Sequence, residues 1–190
     1  MGDYPELGST FRNKNVLVAG GTGMVGQQLV LLLLQNGARV RIASKDDRRR
    51  AHPDAEFHCL DLTDIRNCYK VCEGMDYAFN LLCTKGSPAL ANKFPLKYLE
   101  PMTFYNAGLL KAAYDSGLGG YLFTSTIGVY PLAEVFKEET ALTAMPSPND
   151  FFPGFAKMYA EVHVRAYIQE GKWTNISIVR PAGIYGPYDN

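Results

Sequence analysis

An α/β fold built on a doubly wound parallel sheet is what this sequence predicts, and three observations predict it. Short apolar runs of strand length alternate with longer stretches whose apolar residues recur at helical spacing. That order calls for a parallel sheet with helices on both faces. Residues 77–83 form a nearly continuous apolar run, as a central strand covered on both sides must be. The first apolar run ends in a cluster of glycines that opens a helix.

The elements follow in order. Residues 16–19 form the first strand, and a helix runs from about 23 to 36 with Gly37 as its stop. Residues 40–43 and 56–60 are the second and third strands. Thr63 or Asp64 caps a helix that carries Ile65, Cys68 and Cys72 on one face and ends at Gly74. After the 77–83 strand, a long helix follows Pro101, with Met102, Tyr105, Leu109 and Ala113 as its stripe and Gly117 beyond it. Residues 121–124 are the fifth strand. Phe155, Tyr159, Val162 and Ala166 mark the next helix, with Tyr159 read as core and Gly171 as the stop, and 176–179 are the last strand. Residues 132–150 are rich in Pro, Thr and Glu and lack a period. They read as a functional loop over the carboxyl edge of the sheet.

Length fits one domain, and a hydrophobic content of 47% is enough for a core. Residues 1–14 read as a polar N-terminal extension and 15–190 as the folded domain. Nineteen basic residues balance nineteen acidic ones, which argues against nucleic-acid or anionic-membrane partners, since both need surplus positive charge. The polar start lacks a signal-peptide core, and the longest aliphatic run, 29–34, is too short to span a bilayer. Cys59, Cys68, Cys72 and Cys83 form no CxxC pair, and only His52, His58 and His163 could complete a metal site. Reduced buried thiols, no metal and a cytoplasmic location are the expectation.

Residues 20–26 contain G-x-x-G-x-x-G at Gly20, Gly23 and Gly26. Gly20 permits the sharp turn out of the strand, Gly23 lets the backbone approach a pyrophosphate, and Gly26 allows close helix packing. Helix N-terminal amides then face the phosphates. The pattern is that of a Rossmann-type dinucleotide site, with Gly20, Thr22, Gly23, Met24 and Val25 on the cofactor. At the end of the second strand, an acid would bind the ribose hydroxyls and repel a 2′-phosphate. Ser44 and Lys45 stand there instead, followed by Arg48, Arg49 and Arg50. Ser44, Lys45 and Arg48 therefore favour NADP, with NAD as the other choice. A solvated basic turn, partly neutralised by Asp46 and Asp47, is the bland alternative.

Further motifs extend the pattern. Asp61-Leu62 follows the third strand and Asn80-Leu81-Leu82-Cys83 ends the fourth. Thr124-Ser125-Thr126-Ile127-Gly128-Val129-Tyr130-Pro131 ends the fifth, and Arg180-Pro181-Ala182-Gly183-Ile184-Tyr185-Gly186-Pro187 follows the sixth. Together they resemble the extended short-chain dehydrogenase/reductases, the NAD(P)-dependent nucleotide-sugar epimerases and dehydratases. Within that family the likeness is greatest to the GDP-fucose synthases, through Val129-Tyr130-Pro131 and Gly186-Pro187-Tyr188-Asp189-Asn190. The resemblance implies an adenine contact at Asp61 and Leu62, cofactor contacts at Leu81, Leu82, Pro181, Gly183 and Ile184, and a nucleotide-sugar substrate. It also implies homodimers packed through helices near 102–114 and 155–168, and a C-terminal substrate domain largely absent here. Two catalytic residues carry over: Thr126 as the hydroxyl that holds the sugar, and Lys157 as the lysine on the nicotinamide ribose. In the family that lysine also activates a tyrosine, because a phenol at its ordinary pKa of ~10 is a poor base.

The match breaks at proton transfer. Pro153 stands where the tyrosine is expected, and its neighbour Phe152 also lacks a hydroxyl. Tyr159 follows Lys157 by two residues, roughly 200° round a helix, and should face away. Gly128 and Tyr188 replace the cysteine and histidine of the GDP-fucose synthases, and Gly183 replaces an asparagine. Two functional classes follow. One is an NADP-dependent oxidoreductase with a variant proton-transfer apparatus, in which a water or Tyr130 relays the proton. The other is an NADP(H)-binding homologue or sensor without turnover.

Overall fold

A computed structural model of the chain describes residues 9–171 and 173–186. Its sheet has the expected doubly wound parallel form. The strands are β1 (Asn15–Ala19), β2 (Arg39–Ser44), β3 (Glu56–Cys59), β4 (Tyr77–Asn80), β5 (Gly120–Thr124) and β6 (Ile176–Val179). They lie in the order β3-β2-β1-β4-β5-β6, with every neighbouring pair parallel. The helices are α1 (Met24–Gln35), α2 (Ile65–Cys72), α3 (Pro88–Lys93), α4 (Pro95–Asp115) and α5 (Phe151–Gly171).

Chain direction across the sheet reverses between β1 and β4, the topological switch point where such folds open a ligand crevice. Ala19 is level with Ala43 of β2 and Asn80 of β4, so the loops after all three strands gather at one edge. Alternation along β1 feeds two cores. Leu17 and Ala19 pack with Val71 of α2, Met102 and Leu109 of α4, and Ala160 and Val164 of α5. Val16 and Val18 pack with Ile42, Val30 and Leu33 on the α1 side. Residues 16–19 are wholly buried, and each large apolar side chain so buried contributes about 1.5–3 kcal/mol.

Three elements differ from the sequence reading. Strand β4 stops at Asn80, not at 83. The Asn80 carboxamide accepts the Leu82 N–H (3.1 Å) and donates to Asn106 Oδ1 and the Tyr121 hydroxyl (2.9 Å each), so it turns the chain out of the sheet. Helix α4 begins at Pro95 and runs through Pro101, after which the sequence pattern places its start. The ring removes a single intrahelical hydrogen bond there.

Helix α5 begins at Phe151, and its buried face is Gly154, Ala156, Lys157, Ala160, Glu161 and Val164. Tyr159 is therefore surface rather than core, 44% exposed, and Val162 is 51% exposed. Small residues let this helix lie close to its neighbours, and the two charged ones are buried because each finds partners. Periodicity of bulky apolar residues points to the wrong face.

Cys68 and Cys72 are buried free thiols, each pushed up to about 12 by burial. Among the described residues no group of three or more His, Cys, Asp or Glu could hold a metal. None of the described helices is long and apolar enough to cross a membrane.

Candidate functional site

Glycines shape the turn between β1 and α1. Gly20 takes φ +84°, and a Cβ there would lie 3.0 Å from the Leu81 carbonyl oxygen. Its N–H donates to Ala43 O (2.8 Å), and the Leu81 N–H donates to Ala19 O (2.9 Å), so β2 and β4 pin the loop on both sides. Gly26 brings α1 down onto the loop, where its Cβ would lie 2.3 Å from Gly20 O. Gly23 is the N-cap and has no side chain to cap the helix. The first helical bond runs from the Gln27 N–H to Gly23 O (2.9 Å). The amides of Met24, Val25 and Gly26 precede it and face out of the positive end of the helix. Backbone donors concentrated at a dipole end suit a diphosphate.

A cleft of about 690 Å³ opens over this turn and is lined by Gly20, Thr22, Gly23, Met24 and Val25. Ser44, Lys45, Asp61, Leu62, Leu81 and Leu82, all expected at a cofactor, line it as well. A closed chain of hydrogen bonds holds the β2 end. The Asp46 N–H donates to Ser44 Oγ (3.1 Å), which donates to Thr22 Oγ1 (2.7 Å), which donates to Asp46 Oδ2 (2.7 Å). Lys45 Nζ pairs with Asp61 Oδ2 at 2.9 Å and holds that carboxyl below the usual carboxylate range.

Arg48 is not brought to the cleft. Its guanidinium donates to the carbonyls of His52 (3.2 Å) and Pro53 (3.3 Å) and lies 5.5 Å from the Phe57 ring. A side chain satisfied by its own turn cannot also reach across the sheet edge. Arg50 lines the cleft in its place.

A second cleft, of about 660 Å³, meets the first along Met24, Val25, Leu81, Leu82, Cys83 and Thr84. Lys157 reaches it from α5 and is only 3% exposed. Its ammonium donates to Leu82 O (2.9 Å) and Thr124 O (2.6 Å) and sits 4.8 Å from the Phe123 ring centroid. Burial lowers its pKa to about 8. Thr126 lines the same cleft, and its Oγ1 accepts the Gly128 N–H at 3.1 Å. The hydroxyls of Thr124 and Ser125 are buried beside it with no hydrogen-bond partner. Orphaned hydroxyls at a cleft wall are donors in wait for a ligand. Pro181 and Ile184 line the cleft, whereas Gly183, expected there, is exposed and Ala182 takes its place.

Pro153 lines this cleft as the third residue of α5, where a missing N–H removes no helical bond. Tyr130 reaches neither cleft. Its hydroxyl accepts from Arg180 Nη1 (3.2 Å) and its ring stacks on Phe136 (5.2 Å), contacts that hold it beside the β6 end. Tyr188 lies outside the described residues, as do residues 1–8 of the expected N-terminal extension.

Sequence reasoning missed several residues. Asp46 and Lys85 line the first cleft, with Lys85 Nζ 3.6 Å from Asp46 Oδ2. Asp150 lines the second. Arg180 donates twice to the wholly buried Glu161, at 2.9 and 2.7 Å, and so ties the β6 end to α5. The only signal for that pair is a Glu one helical turn after Lys157.

A family model described as "NAD dependent epimerase/dehydratase family" matches residues 16–190. The chain is 27% identical to the GDP-mannose 3,5-epimerase of Arabidopsis thaliana, over 93% of its own length and 48% of that protein's. It is also 27% identical to the GDP-L-fucose synthase of Sinorhizobium fredii, over 93% of its own length and 53% of that protein's. The fold matches a UDP-glucose 4-epimerase of Thermotoga maritima with TM-score 0.80 and 24% identity, over 93% of this chain and 58% of that one. The chain thus spans about half the length of the curated relatives it matches.

Proposed function

The chain belongs to the NAD dependent epimerase/dehydratase family, and from that premise we propose that it holds a nicotinamide dinucleotide along the two joined clefts and acts as an oxidoreductase on a nucleotide sugar. The supporting observation is the turn at residues 20–26, whose free helix-start amides open into a cleft that continues to Lys157 and Thr126. Residues 15–190 are then the dinucleotide-binding unit.

The amides of Met24, Val25 and Gly26 would hold the diphosphate, and Asp61 and Leu62 would flank the adenine. When bound, the nicotinamide supplies the acceptor and donor of hydride. Lys157, fixed by two carbonyls, offers its remaining N–H to the nicotinamide ribose. Thr126 orients the sugar hydroxyl. The orphaned hydroxyls of Thr124 and Ser125 hydrogen-bond the bound ligands and exclude water from the sheet edge. A broad panel of GDP-, UDP- and dTDP-sugars, followed at the nicotinamide absorbance band, tests turnover. Binding with no turnover on any sugar favours a cofactor-binding protein without catalysis, the reading that Pro153 supports.

NADP(H) is the proposed form. Ser44 ends β2 without a charge, and Lys45 and Arg50 line the adenosine end. The Lys45–Asp61 pair is exposed, 69% and 45% by side chain. Such pairs contribute about 0–1 kcal/mol, so recruiting Lys45 to a 2′-phosphate costs little. Joint Lys45→Ala and Arg50→Ala substitution is expected to weaken NADPH binding about 100-fold or more while NADH changes less than threefold, each lost charge-assisted bond removing roughly 1.5 kcal/mol or more. Equal loss for both dinucleotides in a fluorescence titration rejects the choice.

Two copies are proposed to pair through α4 and α5, whose outer faces leave Phe104 55%, Tyr159 44% and Val162 51% exposed. Light scattering should give twice the chain mass, falling to one chain mass in Phe104→Glu/Val162→Glu. A wild type that runs as a single chain at tens of micromolar excludes this pairing.

A further inference from the structure

We infer that Asp150 is the proton-transfer group of the second cleft, placed against Thr126 in the space that Gly128 leaves open. The inference rests on the oxidoreductase reading above and supplies the acid/base that Pro153 removes. Asp150 ends a short turn, Pro148–Asp150, that runs straight into α5. It precedes Pro153 by three residues and Lys157 by seven, a spacing that keeps all three on one helical face. All three line the cleft, together with Thr126.

Two glycines set its position. A Cβ on Gly128 would lie 2.6 Å from Asp150 Oδ2 and 3.4 Å from Thr126 Cγ2. The carboxylate therefore fills the volume that any side chain at 128 would need, next to the threonine expected to hold the substrate hydroxyl. A Cβ on Gly154 would lie 2.5 Å from Gly128 O, so backbone-to-backbone contact clamps the start of α5 against the 127–129 turn. Any larger residue at either position moves Asp150 away.

The bland role for an aspartate here is to cap α5. The donors to such a cap are the second and third helical N–H groups; Pro153 lacks the third, and among the described residues the second, on Phe152, does not donate to the carboxylate. Among the described residues no donor is hydrogen-bonded to the Asp150 carboxylate, although it is half buried. The other ionisable groups on this cleft are Cys83, Tyr98 and Lys157, so Asp150 is its one carboxyl among the described residues. Burial holds the Asp150 pKa above the usual carboxylate value. A group shifted toward the working pH transfers protons in both directions more readily.

The O–H bond of the sugar carbinol breaks, its proton passes to an Asp150 carboxylate oxygen, and its electron pair becomes the second carbonyl bond. The carbon gives up hydride to the oxidised nicotinamide. Reduction runs the reverse, with the carboxylic acid returning the proton.

The test joins turnover with carbon NMR of aspartate γ-carboxyl groups in dinucleotide-loaded protein. The signal missing from Asp150→Asn should titrate above the ordinary carboxylate range in the wild type and shift when the nucleotide sugar is added. Asp150→Asn should lower turnover 100-fold or more while NADPH affinity stays within twofold, and Asp150→Glu should recover part of it. Gly128→Ala should lower turnover in the same direction and return the Asp150 signal toward the ordinary range. Full turnover in Asp150→Asn, an ordinary titration, or a wild type that binds NADPH without turning over any sugar would each overturn the proposal. Failure of the wild type to bind either dinucleotide overturns instead the reading on which it rests.

Discussion

Gly26→Ala is expected to abolish saturable dinucleotide binding, with affinity falling at least a hundredfold. The added Cβ would lie 2.3 Å from Gly20 O, 2.7 Å from Gly21 Cα and 2.9 Å from Gly21 C. All three are main-chain atoms, so no rotamer change relieves the overlap. Either α1 tilts or the 20–23 turn moves. In both cases the amides of Met24 and Val25 leave the line of the cleft. Overpacking of this kind also costs about 1–3 kcal/mol of stability. Gly183→Ala is the control, because a Cβ at 183 meets nothing within 4 Å. Fluorescence titration with NADPH, alongside a thermal melt, separates the two effects. Unchanged affinity in Gly26→Ala would mean that the loop does not hold the diphosphate.

Arg180→Ala is expected to be the most destabilising single change away from that loop. Glu161 is wholly buried, and both its oxygens accept from the Arg180 guanidinium. The same guanidinium donates to the Tyr130 hydroxyl and lies 5.3 Å from that ring. The Glu161 carboxylate beside it raises the Arg180 pKa further, so the arginine is charged at any working pH. Removing one partner of a buried pair strands the other charge, at about 3–5 kcal/mol. For a domain of this size that lowers Tm by roughly 6–20 °C. A second change, Glu161→Gln, should restore part of the loss, because the two act as a unit. A melt within about 2 °C of wild type would show that water reaches Glu161 and that the pair does not tie β6 to α5.

The parts of the molecule that follow from local pattern were legible in the sequence. The β1-to-α1 turn is one continuous segment, so its glycines, its strand and its helix start could all be read together. Strand order could not be read from any single segment, but the alternation of strand and helix restricts it strongly. Helix α5 was misread because the pattern assumes that bulky apolar residues face inward. Here Lys157 and Glu161 are buried by virtue of partners in the loop after β4, on β5 and just beyond β6, all outside the helix. The same limit hid the ends of the site. Arg48 looked like a phosphate ligand because it is basic and near, yet carbonyls of its own turn satisfy it. Asp150 lay in a segment without period, and only the through-space gap at Gly128 shows where its carboxylate sits.

The most direct measurement is a titration of the purified wild-type chain with NADPH and with NADH, followed by nicotinamide fluorescence. Backbone donors at the start of α1 predict saturable binding at one site per chain, competed by the oxidised dinucleotide and missing in Gly26→Ala. A flat titration with both dinucleotides, from a protein whose circular dichroism shows it folded, would contradict the assignment of that turn to a diphosphate.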